Sequence, residues 1–212
     1  MIVLRAFSAL LSYPREELQQ ALPELADVIA ASPLVAPRER GSLLALIDEL
    51  AHSELLQMEE RYVELFDRGR ATSLNLFEHL HGEGRERGDA MVELKRHYER
   101  AGYELSTTEL PDYIPVVLEY LSCRDLAETK DMLSDCAHIL KKLATALLAR
   151  RSPYAAIPQA LLAIAGENVV DAASVPPIRE RPENLDRDWF EEPAFAGAPT
   201  AAMGGATPNA RR

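Results

Sequence analysis

Glu109-Leu110-Pro111-Asp112-Tyr113-Ile114-Pro115-Val116-Val117-Leu118-Glu119-Tyr120-Leu121 is a proline-punctuated start followed by an almost uninterrupted apolar run. From Tyr113 to Cys123 only Glu119 carries charge, so the segment reads as a largely buried helix. Asp112 is the natural N-cap, accepting from the Ile114 amide, with Pro115 at N3, where the missing N–H has no intrahelical acceptor to lose. Asp112 and Glu119 stand seven residues apart and so fall on roughly one face. A carboxylate on so apolar a helix needs a cationic or hydrogen-bonding partner, either internal or brought by another molecule.

Working outward, apolar residues recur at helical spacing in nearly every segment. The stripes are Val3, Phe7, Leu10 and Leu11, then Leu18, Leu22, Leu25 and Ile29, with a kink or break expected at Pro23. Leu43, Leu46, Ile47 and Leu50 follow, and then Leu55, Met58, Tyr62, Leu65 and Phe66. Leu74 to Leu80 reads as a short helix, Gly82, Gly84 and Gly88 as breaks, and 89–102 as a helix stopped by Gly102. Residues 125–151 read as one long helix ending in Arg150-Arg151. Ser152-Pro153 opens a last helix, distorted at Pro158 and stopped by Gly166. No stretch shows sustained period-two alternation. The fold class is all-α: one bundle-like helical domain over 1–166 and a largely disordered acidic, proline-rich tail over 167–212. Trp189 and its neighbouring phenylalanines are the tail's exception, a segment able to dock on the body or on a partner.

The 212 residues carry 34 acids against 23 Lys and Arg, a formal charge of −11, with 47% hydrophobic residues. Such a field disfavours nucleic acid and anionic membranes and favours cationic partners. Two cysteines, Cys123 and Cys136, are too few for a secreted disulfide scaffold and read as reduced core residues. The apolar start at Met1 is interrupted by Arg5, too short for a signal or membrane segment, so the expected location is cytoplasmic.

Chemistry-bearing residues are sparse. His79 and His81 with Glu78 and Glu83 form the most metal-like cluster, but alternate residues on a helix point apart, unlike His-Glu-x-x-His. The glycines nearby lack the Gly-Lys-Ser/Thr ending of a phosphate loop. His52, His97 and His138 are isolated. No catalytic residue and no metal ligand set is assigned. A metal- or nucleotide-dependent helical enzyme centred on His79, His81 and Glu83 stands as the alternative.

Three strings, in order, resemble a known family: Tyr62-Val63-Glu64-Leu65-Phe66-Asp67, Leu76-Phe77-Glu78-His79-Leu80-His81-Gly82-Glu83, and Glu109 to Leu121. They are similar to the nitrate reductase molybdenum-cofactor assembly chaperones, the delta-subunit branch of the redox-enzyme maturation chaperones. The resemblance runs from about Met1 to about Gly166. Tyr113 departs from it, standing where members often carry histidine, so no role of that histidine carries over. The resemblance implies an all-helical cytoplasmic chaperone that binds the N-terminal segment of the nitrate reductase catalytic (alpha) subunit. It implies assistance to molybdenum-cofactor insertion without a cofactor of its own, restraint of premature membrane-anchor assembly, and absence from the finished enzyme. Physically this is helix-in-groove recognition of an apolar, basic segment. The expected partner-contacting residues are Tyr62 and Phe66, Leu110 and Pro111, the acids Glu78, Asp112 and Glu119, and Tyr120. From spacing alone, Tyr62 and Phe66, an i,i+4 pair, read as core ahead of direct client contact.

Overall fold

The computed structural model describes residues 1–80, 85–105 and 109–178. Among these there are nine α-helices and no strand. The all-α expectation holds. The helices are α1 (Ile2–Leu11), α2 (Glu16–Ala31), α3 (Pro37–Ala51), α4 (Leu55–Tyr62), α5 (Arg85–Arg100), α6 (Ile114–Ser122), α7 (Leu126–Asp135), α8 (Ala137–Ala149) and α9 (Ala156–Ala165). Among the described residues, none is long and apolar enough to cross a membrane.

The core is built on α1, whose Val3, Leu4, Phe7, Leu10 and Leu11 are all fully buried. A helix apolar around most of its circumference must be enclosed. Here α6 lies along it, with Ser8 Oγ donating to the Pro115 carbonyl at 2.9 Å. The α2–α3 pair packs beside α1, and α8 and α9 pair with each other and join α3 and α7.

Several local expectations change. Helix α2 runs through Pro23 unbroken, with Pro23 on its exposed face. Helix α4 ends in a π-turn, Val63–Asp67, which seats Leu65 and Phe66 in the core. Helix α5 starts at Arg85 and includes Gly88, whereas Gly82 and Gly84 lie outside the described residues. The long helix expected over 125–151 is two. Residues 134–136 are weak helix formers, and Cys136, at φ −87° and ψ 0°, turns the chain between α7 and α8. Cys123 is exposed and Cys136 half-buried, so neither is a fully enclosed core cysteine; burial pushes the Cys136 thiol up to about 11.

The glycine stops do stand where expected. Gly102 and Gly166 take φ +84° and +81°, and the following amides, Tyr103 and Glu167, close onto Tyr98 and Leu162 carbonyls. Past Gly166 the described chain continues to Ile178, bound to the helices. The Gln159 side chain pairs with both Val170 main-chain groups at 2.7 and 2.8 Å, and the Ile178 amide donates to Ala149 at 2.8 Å. Lys141 meets Glu167 at 2.8 Å. The tail beyond, with Trp189, lies outside the described residues.

Candidate functional site

The expected partner residues fall into separate places. Tyr62 and Phe66 are core: their rings sit 4.9 Å apart, Phe66 meets the edge of Tyr154, and the Tyr62 hydroxyl donates to the Leu11 carbonyl at 2.9 Å. Tyr113 brings its hydroxyl to 2.9 Å from that of Tyr62. Glu119 is exposed. Leu110 is 40% exposed, while the Pro111 carbonyl accepts from Tyr98 at 2.9 Å.

Asp112 is not the N-cap of α6; Tyr113 is. The Ile114 amide instead donates to the Leu74 carbonyl, and Leu76 to the Asp112 carbonyl, an antiparallel bridge that ties the loop before Phe77 to the start of α6. The Asp112 side chain has no exposed surface, and its Oδ2 accepts the Phe77 amide at 3.0 Å. A long-range donor has displaced the local cap. Burial pushes this carboxyl above its usual range, opposed by the Phe77 amide and the nearby Arg87 and reinforced by Glu78. Glu78 itself is paired with Arg87 at 3.2 Å.

Tyr120 leads to the groove. It is buried on α6, its ring tilted against that of Tyr98 with centroids 4.7 Å apart, and its hydroxyl donates to Glu128 Oε1 at 2.7 Å. Asp125 caps α7 by accepting the Glu128 amide at 2.9 Å, which plants Glu128 in the helix's first turn. The second Glu128 oxygen accepts from Arg124 Nε at 2.8 Å. The Tyr120 bond, seconded by Arg124, holds the Glu128 carboxyl below its usual range. Burial and Glu128 push the Tyr120 phenol up to about 12.

Above this arrangement a groove of about 680 Å³ runs between α5 and α7. Phe77, Leu94 and Met132 give it an apolar floor. Its walls carry Glu93 from α5, the cap Asp125, and Glu128, Asp131 and Asp135 from α7, against Arg100 and His97. Asp131 and Asp135, one helical turn apart, are both exposed. A larger cleft of about 840 Å³, which shares Glu93 and Arg100 with this groove, is lined among the described residues by α5 alone, with Val92 as the single apolar side chain, and offers far less to an apolar partner. The α5–α7 groove is therefore the better-formed binding surface: apolar burial supplies affinity, and a negative rim favours cationic side chains.

Sequence reasoning missed this groove: His97 read as isolated, and the acids of α7 were not singled out. The available signal was the spacing of Glu128, Asp131 and Asp135, which puts three carboxylates and Met132 on adjoining faces of one helix. In the alternative cluster, the His79 ring is bonded to the Ser73 carbonyl at 2.9 Å, and His81 and Glu83 lie outside the described residues.

The profile of the family described as "Nitrate reductase delta subunit" matches residues 13–157. The chain is 41% identical to the nitrate reductase molybdenum cofactor assembly chaperone NarJ of Escherichia coli strain K12, over 91% of this chain and 84% of that protein. It is 36% identical to the probable chaperone of the same description, NarW, over 91% and 82%. To the probable NarJ of Bacillus subtilis it is 33% identical, over 79% and 90%. The expectation of a chaperone rather than an enzyme agrees with all three names. The chain belongs to the nitrate reductase delta subunit family, the family of NarJ-type assembly chaperones that its three sequence strings resemble.

Proposed function

We propose that this protein is a cytoplasmic chaperone that binds the apo catalytic subunit of nitrate reductase through that subunit's N-terminal segment. It keeps the subunit from its membrane anchor while the molybdenum cofactor is inserted, and then leaves. It holds no cofactor of its own, and it neither enters the membrane nor binds nucleic acid. The names of its relatives support the assembly role. The observation that carries the binding mode is the α5–α7 groove, an apolar floor between carboxylate-bearing walls. A client segment with one apolar face and several Arg or Lys residues fits it as an amphipathic element in a groove. Of the residues read from sequence, Tyr120 lies beneath this groove and Glu78 follows Phe77 at its edge, and Leu110 and Pro111 precede the helix that carries Tyr120. Tyr62 and Phe66 serve the core, against Leu11 and Tyr154, and Asp112 anchors Phe77 of the groove floor.

Titration calorimetry with a synthetic peptide of the catalytic subunit's N-terminal segment tests this. Binding with a negative heat-capacity change, unaltered by a chelator, is the expected result. No binding, or binding that the chelator abolishes, overturns it and returns the His79–His81–Glu83 enzyme reading.

A further inference from the structure

We propose that the Tyr120 hydroxyl is a positioning group, a latch that ties α5 to α7 and so sets the width of the groove; this rests on the groove being where the client binds. Helix α5 is weakly enclosed: among its described side chains only Tyr98 is fully buried. A helix with so little apolar burial is held by its side-chain links and is prone to local opening. At its start the link is Arg87 to Glu78. Near its end Tyr98 ties α5 to the Pro111 carbonyl at 2.9 Å, and the link toward α7 is a chain of hydrogen bonds through Tyr120. The phenol O–H donates to Glu128 Oε1 at 2.7 Å, so the contact with His97 Nε2 at 3.0 Å has the imidazole N–H donating to the phenol oxygen. His97 and Glu128 themselves approach only to 3.9 Å, outside hydrogen-bond reach. Among the described residues the hydroxyl is therefore the hydrogen-bonding atom that joins α5 to α7. Arg124 holds the other Glu128 oxygen and keeps the carboxylate from swivelling away.

The ring and the hydroxyl have separable roles. Tyr98 at 4.7 Å and Tyr103 at 5.6 Å fix the ring by packing alone. Tyr120→Phe keeps that packing and deletes the latch, and Glu128, still partly exposed, takes water in place of the phenol. Once released, α5 no longer holds Leu94 and Glu93 at a fixed distance from Met132 and Asp131, and a client cannot engage both walls at once.

The test pairs affinity with hydrogen exchange, using the full chain and a short amphipathic peptide bearing several arginines. Tyr120→Phe is expected to bind about five- to tenfold more weakly, as for one lost polar link. Its α5 amides should exchange faster while those of α1 and α6 match the wild type, and its melting temperature should barely move. His97→Ala, which breaks the same latch from the α5 side, should give the same exchange pattern and serves if the phenylalanine variant folds poorly. Asp131→Asn with Asp135→Asn should lose affinity with α5 exchange unchanged. Wild-type α5 exchange in both latch variants, or wild-type affinity in Tyr120→Phe, overturns the latch. If the double Asn variant still loses affinity, the groove reading survives that result. If instead the double Asn variant binds like wild type, the groove reading fails, while α5 exchange still decides the latch.

Discussion

Asp112 and Phe77 are joined across 35 residues of chain, the buried carboxylate accepting the Phe77 amide at 3.0 Å. The bond fixes Phe77, part of the groove floor, to the start of α6, and it puts a carboxylate where water does not reach. The second oxygen, Oδ1, has no hydrogen-bond partner among the described residues.

The folded Asp112 carboxyl is raised, chiefly by burial, above its unfolded value of about 3.9. A raised acid binds its proton more readily folded than unfolded. Its contribution to stability is therefore full below the unfolded pKa and is lost as pH rises through the folded one. Asp112→Asn keeps an acceptor for Phe77 and removes the ionisation. Its melting temperature should gain on the wild type as pH rises from about 4 to neutrality. Asp112→Ala removes the acceptor as well as the ionisation; it should cost about 1–3 kcal/mol at acidic pH, with the deficit shrinking as pH rises toward neutrality.

Arg151 sits at φ +54° after α8, in a closing turn where the Ser152 amide reaches the Leu147 carbonyl at 3.0 Å. Glycine takes this conformation without the side-chain penalty. Arg151→Gly should stabilise the protein by about 1 kcal/mol and raise its melting point by about 2–4 °C. Calorimetric unfolding checks this.

Much of the helical layout was readable because apolar period and glycine stops are local signals. The Gly102 and Gly166 closures and the stripes of α1 and α3 follow from neighbours in sequence. The α7–α8 break at Cys136 was not readable, since residues 134–136 include neither glycine nor proline and the apolar period passes through them. Asp112 shows the same limit from the other side. Its local chemistry favours a cap, and a donor 35 residues away outcompetes it. The groove depends on α5 standing beside α7, a tertiary relation that no spacing within either helix encodes.

Tyr62→Phe should cost about 1 kcal/mol, because it removes a buried bond to the Leu11 carbonyl and the contact with Tyr113. Phe66→Ala should cost about 3–5 kcal/mol as an aromatic core truncation. Neither should change peptide affinity at a temperature where the variant is folded. Denaturant melts beside a binding isotherm decide between core and contact roles.

A chain ended at Ile178 should be more stable than one ended at Gly166, because the shorter loses the Gln159–Val170 pair and the Ile178 bond to Ala149. Gln159→Ala should expose residues 167–178 to protease, weakening their docking by about 1–2 kcal/mol. Limited proteolysis with mass mapping reads the change.

The most direct test of the groove compares two variants that each raise the net charge by two, from −11 to −9. Asp131→Asn with Asp135→Asn neutralises the two exposed acids of the groove wall, and Glu119→Lys reverses the exposed charge on α6, which does not line it. Equal charge change cancels the general electrostatic field and leaves position as the difference. Binding of the catalytic-subunit peptide, measured calorimetrically in physiological salt, should weaken about five- to tenfold in the double Asn variant and by no more than about twofold in Glu119→Lys. Equal losses in the two, or a larger loss in Glu119→Lys, would contradict the assignment of the client to the groove between α5 and α7.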